Sequence, residues 1–153
     1  LKSPKLSKGP DRFIKIVESL SKEQKNLHVV LTGKRRQYVI NELKKREIKF
    51  SYFEMANFKI MNELYNCLDL YIVSSRVEGG PQSIFECSLV KTPIISTDVG
   101  LASKILSPES IFSMNNFNNA KPDIEYAYEN VQKYTLPKGF DEYRKMVGEF
   151  IES

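Results

Sequence analysis

The sequence predicts a three-layer α/β domain, with a mostly parallel sheet covered by helices on both faces. Two observations carry the prediction. Short apolar runs of strand length alternate along the chain with longer stretches whose apolar residues recur at helical spacing. Strands separated by helices in this way argue for parallel pairing, in a sheet covered on both faces.

Phe13, Ile16, Val17 and Leu20 stand at i, i+3, i+4 and i+7 and predict a helix, with Pro10 near its start, where a missing N–H costs little. His28 to Leu31 reads as a buried strand ended by Thr32-Gly33. A charged helix follows over residues 35–46, with Val39, Ile40 and Leu43 inward, and then a second strand from Ile48 to Phe53. Phe58, Met61, Leu64, Tyr65 and Leu68 stripe another helix. Leu70 to Val73 is the third strand, residues 81–90 the helix after it, and Pro93 to Ser96 the fourth strand, entered at a proline. Ile111 to Ser113 predicts a short fifth strand. Beyond it, Ile124, Ala127, Tyr128 and Val131 form one helical stripe. Phe140, Tyr143, Val147, Phe150 and Ile151 form another, with Pro137-Lys138-Gly139 between the two.

The 153 residues suffice for one domain, 1–153, with its own core; no internal repeat or long linker divides them. Hydrophobic content of 41% and charged content of 27% mark a globular chain. No apolar run approaches the roughly 20 residues that span a bilayer. The chain opens at Leu1 without an initiator Met and reads as part of a longer protein. Its net charge of +4 is compatible with a phosphorylated ligand and with Lys-rich solvated faces. Nucleic acid is not an expected partner, because the Lys34-Arg35-Arg36 cluster is short and has no accompanying motif. Cys67 and Cys87 lack metal-ligand spacing and are expected as reduced thiols in a cytoplasmic protein. His28, the only histidine, precedes a strand and is expected to be structural.

The chemistry concentrates in Glu78-Gly79-Gly80-Pro81-Gln82-Ser83-Ile84-Phe85-Glu86. Two carboxylates, with seven residues between them, flank a Gly-Gly-Pro turn and a helix start that follow a strand. The first N–H groups of a helix have no partner inside it and, with the helix dipole, attract anions. Pro81 is expected at the first helical position, with flexibility in Gly79-Gly80 and the N–H groups of Gln82 and Ser83 facing the ligand. Glu78 and Glu86 suit hydroxyl donors of a sugar or ribose on the same ligand. In a parallel sheet such a site lies beyond the carboxyl ends of the strands. The segments Ser74 to Ser83, Gly33 to Arg35 and Thr97 to Leu101 are therefore expected to gather on one edge.

Tyr71 to Glu86, followed by Lys91-Thr-Pro-Ile-Ile-Ser-Thr-Asp-Val-Gly100, resembles the donor-binding half of retaining glycosyltransferases of family four, the group 1 type. The resemblance runs from Lys8-Gly9 to about Leu106. It implies the Rossmann-like C-terminal half of a two-domain GT-B enzyme, with the N-terminal acceptor domain absent from this chain. The implied function is transfer of a hexose from a nucleoside-diphosphate sugar to a glycan or lipid-linked acceptor, as in polysaccharide biosynthesis. The implied roles are Glu78 at the transferred sugar, Glu86 at the ribose hydroxyls, backbone groups of Gly79, Gly80, Gln82 and Ser83 at sugar or diphosphate, and Lys8 as counter-charge to the leaving diphosphate. Neither metal nor other cofactor is expected. By analogy the enzyme works in the cytoplasm, with peripheral contact at the inner membrane face through the missing half. The isolated chain is expected to be inactive. Three positions depart from the family pattern: no arginine stands among Leu1 to Ser7, Gly80 replaces an aromatic residue, and Lys104 replaces a glutamate. Lys2 or Lys5 is one substitute for that arginine; an arginine further upstream is the other. A base contact is expected around Phe53 to Met55, where Phe53 is equally a core candidate. Competing readings are a non-catalytic nucleotide-binding or structural module and a nucleotide-sugar epimerase of the same fold.

Overall fold

The computed structural model describes residues 5–141, 144–145 and 147–148. Strands and helices alternate in the predicted order: α1 (Pro10–Glu23), β1 (His28–Thr32), α2 (Gln37–Lys45), β2 (Lys49–Phe53), α3 (Phe58–Cys67), β3 (Tyr71–Val73), α4 (Gln82–Leu89), β4 (Ile94–Thr97), α5 (Ala102–Ile105), β5 (Ile111–Phe112) and α6 (Ile124–Val131). All strand pairs are parallel, but they form two sheets rather than one. β1 pairs with β2, and β3, β4 and β5 pair in that order.

Burial explains the layers. Ile94 and Ile95, adjacent on β4, point to opposite faces. Ile94 joins a core with Tyr65, Ile84, Cys87, Ile105, Leu106 and Val131, contributed by α3 to α6. Ile95 joins Ile16 and Phe112 on the other side, under α1. Ile14 and Val17 of α1 pack with Val29, Leu31, Val39, Ile40 and Leu43 over the β1–β2 sheet. The predicted inward residues of α1 and α2 thus lie where the periodicity put them.

Chain-end chemistry sets the helix starts. Asn57 accepts from the Ile60 N–H (2.9 Å) at the start of α3, and Asp123 from the Tyr126 N–H (3.1 Å) at the start of α6. Pro10 opens α1 after Gly9, whose φ of 61° is left-handed. Phe58 departs from the expected inward stripe of α3: it is 93% exposed, because it stands in the first turn before the helix reaches the core. α5 was not foreseen, being only one turn long. Of the final predicted stripe, Phe140 lies in a 3-10 turn (Lys138–Phe140), while Tyr143, Phe150 and Ile151 fall outside the described residues. No described helix is long and apolar enough to cross a membrane.

Candidate sugar-donor site

The loop after β3 carries the site, and the start of the chain is laced to it. The Arg76 N–H donates to Ser7 O (2.7 Å), and Ser74 Oγ donates to Gly9 O (3.0 Å). The Arg76 guanidinium grips both carboxylate oxygens of Asp11 (2.8 and 2.6 Å) and also donates to Leu6 O (2.8 Å). That forked pairing is the geometry that suits arginine. Arg76 holds the Asp11 carboxyl down at about 2, against an ordinary 3.8. Gly9 is obligatory here, since a Cβ on it would lie 1.9 Å from Ser74 O.

This lacing brings together two residues 70 positions apart. Lys8 Nζ donates to both oxygens of Glu78 at 2.6 Å. Ser75 Oγ donates to the same carboxylate, also at 2.6 Å. Burial favours the neutral acid, but the hydrogen bonds from Lys8 and Ser75 outweigh it, and Glu78 sits below the usual carboxylate range. Its side chain is 13% exposed and that of Lys8 47%, so the ammonium remains open to a ligand.

Glu78, Lys8, Gly80, Pro81, Gln82 and Ser83 all line one cavity of about 1270 Å³. Lys5, Lys34, Arg35 and Arg36 line it too, so with Lys8 the lining carries five basic side chains against the two carboxylates of Glu78 and Asp69. The segment after β4 closes in from the side. Thr97 Oγ donates to Ser75 O (2.7 Å), and Gly100, at φ 56°, sits where a Cβ would come within 2.9 Å of Gly79 O. The three post-strand segments therefore gather on one edge, as expected.

One expectation about the turn is corrected. Pro81 is the N-cap of α4, not its first helical residue: its ψ of 108° is extended, and the helix begins at Gln82. Gly79 and Gly80 do not adopt left-handed backbone, and a Cβ on either would meet nothing within 4 Å. The left-handed glycines at this edge are Gly9, Gly33 and Gly100. As a cap, Pro81 has no side-chain acceptor for the helix N–H groups. Ile84 N–H turns back to Pro81 O (3.0 Å), and those of Gln82 and Ser83 keep no partner among the described residues. This end of α4 thus keeps two free N–H donors, a geometry that suits an anion.

Glu86 stands apart from the other predicted residues. It lies one turn further along α4, outside the cavity lining, and its Oε2 accepts a hydrogen bond from Tyr65 Oη at 2.6 Å. Burial and that bond both push the Tyr65 phenol up, so it stays a donor. Tyr65 is held in turn by edge-on contact with the Tyr71 ring, at 5.7 Å between centroids, and by Thr92 Oγ donating to its carbonyl (2.7 Å). Lys104 is exposed on α5 and lines no part of the cavity. Phe53 and Met55 are exposed at the end of β2, outside the lining, so Phe53 is not a core residue. His28 pairs with Ser51 Oγ (2.9 Å), a structural contact. No cluster of His, Cys, Asp or Glu suited to a metal occurs among the described residues.

Sequence reasoning missed Ser75, Arg76, Asp11, Tyr65 and Gly100. Ser75 and Arg76 stood inside the motif, but nothing in the sequence named their partners, the Glu78 carboxylate three residues on for Ser75 and Asp11, 65 positions away, for Arg76.

Comparison with known proteins bears on the fold and the family. No curated protein matches the chain. Among solved structures, the catalytic domain of cholesterol-alpha-glucosyltransferase from Helicobacter pylori superposes with a TM-score of 0.61 at 21% identity, over 95% of this chain and 92% of that one. At that identity the likeness speaks to the fold: parallel strands with helices around them, as in a Rossmann-like GT-B domain. The family model described as glycosyl transferases group 1 matches residues 3–145. The chain belongs to the group 1 glycosyltransferases.

Proposed function

We propose that this chain is the donor-binding domain of a retaining hexosyltransferase that uses a nucleoside-diphosphate sugar. The observation that carries the reading is the meeting of Lys8 and Glu78 at the cavity wall, beside the uncapped start of α4. A cation and two free N–H groups suit a diphosphate, and a carboxylate beside them suits sugar hydroxyls.

The roles follow from position. The diphosphate lies at the Gln82 and Ser83 N–H groups and draws Lys8 from its pairing with Glu78. The released carboxylate, still anchored by Ser75, then accepts from the transferred sugar. During transfer the bond from the anomeric carbon to the phosphate oxygen breaks, and its electron pair leaves with the diphosphate. The acceptor hydroxyl oxygen bonds to the same face of that carbon, and its proton passes to the departing phosphate. Lys8 and the α4 dipole offset the charge that develops, so no metal is required. Glu86, oriented by Tyr65, accepts from the ribose hydroxyls once the nucleoside reaches over α4. The acceptor is a glycan or lipid-linked sugar bound by a second domain, which also makes any membrane contact. Two free thiols, Cys67 and Cys87, support a reducing compartment, the cytoplasm.

Calorimetric titration with uridine, guanosine and adenosine diphosphates and their hexose conjugates tests the reading. One nucleotide class is expected to bind, and Lys8→Ala is expected to weaken it by about 1–3 kcal/mol through a lost charge-assisted contact. Indifference to all of these ligands would refute donor binding.

A further inference from the structure

The partners of Arg76 stand on both sides of Lys8 in the chain. Its guanidinium donates to Leu6 O (2.8 Å), ahead of Lys8, and to both Asp11 oxygens (2.8 and 2.6 Å), beyond it. Its backbone N–H adds the bond to Ser7 O (2.7 Å). Further along the same loop, Glu78 receives the Lys8 ammonium at 2.6 Å. Chain and contacts thus close a ring: Arg76 to Asp11, back along the chain to Lys8, across to Glu78, and through Val77 to Arg76 again.

The ring supplies what an exposed pair lacks. Holding a flexible lysine against a carboxylate costs side-chain entropy, and most such surface pairs are weak. Lys8 is 47% exposed, yet it donates to both Glu78 oxygens. Its backbone belongs to a 3-10 turn, Leu6–Lys8, in which no residue is buried, so the core does not fix the place of that turn. The contacts of Arg76, with the Ser74 Oγ bond to Gly9 O, do so. Arginine suits the task, because its planar fork meets two carboxylate oxygens and a carbonyl at once, whereas an ammonium is a point charge. The Arg76–Asp11 pair is itself exposed and adds little stability; its consequence is geometric. Nor does Arg76 act on Glu78 directly. Burial raises the Glu78 carboxyl, while Lys8 and Ser75 bring it down; the guanidinium is taken up by Asp11.

We propose that Arg76 is a positioning residue for Lys8: through Leu6, Ser7 and Asp11 it fixes where the ammonium stands opposite Glu78, and so where that cation meets the diphosphate. The step to the diphosphate rests on the donor-binding reading above; the placement of Lys8 does not.

The test therefore reads two quantities in the same variants. The first needs no ligand: the titration of the Glu78 carboxyl, followed by carbon-13 NMR in the folded chain. Lys8→Ala is expected to raise it, because burial is then opposed by Ser75 alone. Arg76→Ala is expected to raise it as well, and to change it no further when Lys8 is already alanine. Asp11→Ala separates position from field. Loss of a nearby negative charge by itself lowers the Glu78 value, whereas release of Lys8 raises it, and a rise is expected. An unmoved Glu78 in Arg76→Ala, a further rise in the double variant, or a fall in Asp11→Ala overturns the proposal. Should Arg76→Ala fail to fold, Asp11→Ala decides by the same sign. The second quantity is affinity for uridine, guanosine and adenosine diphosphates by calorimetry. For the class that binds, Arg76→Ala is expected to lose about fivefold or more, and nothing further in the Lys8→Ala background. Independent, additive losses overturn the role at the diphosphate. A parent chain that binds none of the three refutes donor binding, and Glu78 alone then decides whether Arg76 places Lys8.

Discussion

At the scale of single residues, the site is a set of short polar contacts with separable consequences. Tyr65 lines the cavity, and its Oη holds the Glu86 carboxylate, which stands outside the lining, at 2.6 Å. Tyr65→Phe is therefore expected to weaken nucleotide binding by about 0.5–1.5 kcal/mol, and Glu86→Ala by about 1–3 kcal/mol, both by calorimetry. Combining the two should cost no more than Glu86→Ala alone, because the tyrosine acts through the carboxylate. Equal affinity in Glu86→Ala and parent would remove Glu86 from the site. Glu78 has a different part. In the full-length enzyme, Glu78→Gln keeps the shape but loses the charge, and diphosphate release in the presence of acceptor is expected to fall by about 10²-fold or more. Turnover that survives the change would exclude the role given to Glu78. The Arg76–Asp11 pair titrates where it can be read. Arg76 depresses Asp11 from 3.8 to about 2, so the contribution of the pair is complete above 3.8 and is lost as pH falls through about 2. Both side chains are about a third exposed, so solvent screening keeps the contribution of the pair small. Urea unfolding should separate Asp11→Asn from the parent at neutral pH and bring them together at about pH 2.

At the scale of elements, the junctions around α4 depend on glycines outside the turn itself. Gly9 and Gly100 combine left-handed backbone with close approach to Ser74 O and Gly79 O. Gly9→Ala adds an atom 1.9 Å from a carbonyl oxygen that cannot move away cheaply, because the same strand end is bonded to Ser7 and Gly9. A loss of about 2–4 kcal/mol is expected in denaturant unfolding. Gly80→Ala meets open space at ordinary φ and should change stability by less than about 1 kcal/mol. A reversed order of these two effects would contradict the described loop. The sequence directed attention to Gly79-Gly80, conspicuous as a pair, whereas the glycines that close approach and left-handed backbone require are Gly9 and Gly100. The constraint on Gly9 comes from a strand end 65 positions away and leaves no local mark. Pro81 shows the same limit over one residue. Pro suits a cap and a first turn alike, and its extended ψ follows from how the loop leaves β3.

At the scale of the whole molecule, the reading of this chain as a donor-binding domain makes a prediction about activity. The chain on its own is expected to bind donor and to transfer no sugar, whereas the full-length protein should release diphosphate when acceptor is added; transfer by the isolated chain would place the acceptor site here as well. The order of strands and helices, their parallel arrangement, and the inward residues of α1 and α2 were determined by sequence alone, because hydrophobic period and strand composition are local properties. So was the candidate site at the carboxyl edge, since a strand, a turn and a helix start mark that edge wherever they occur in a parallel sheet. Tertiary structure alone decided that Lys8 pairs with Glu78, that Arg76 ties Asp11, that Tyr65 orients Glu86, and that the strands form two sheets. Each of these is a relation between distant segments, set by how α1 and α3 pack across the strands, and side-chain spacing along a chain carries no record of it.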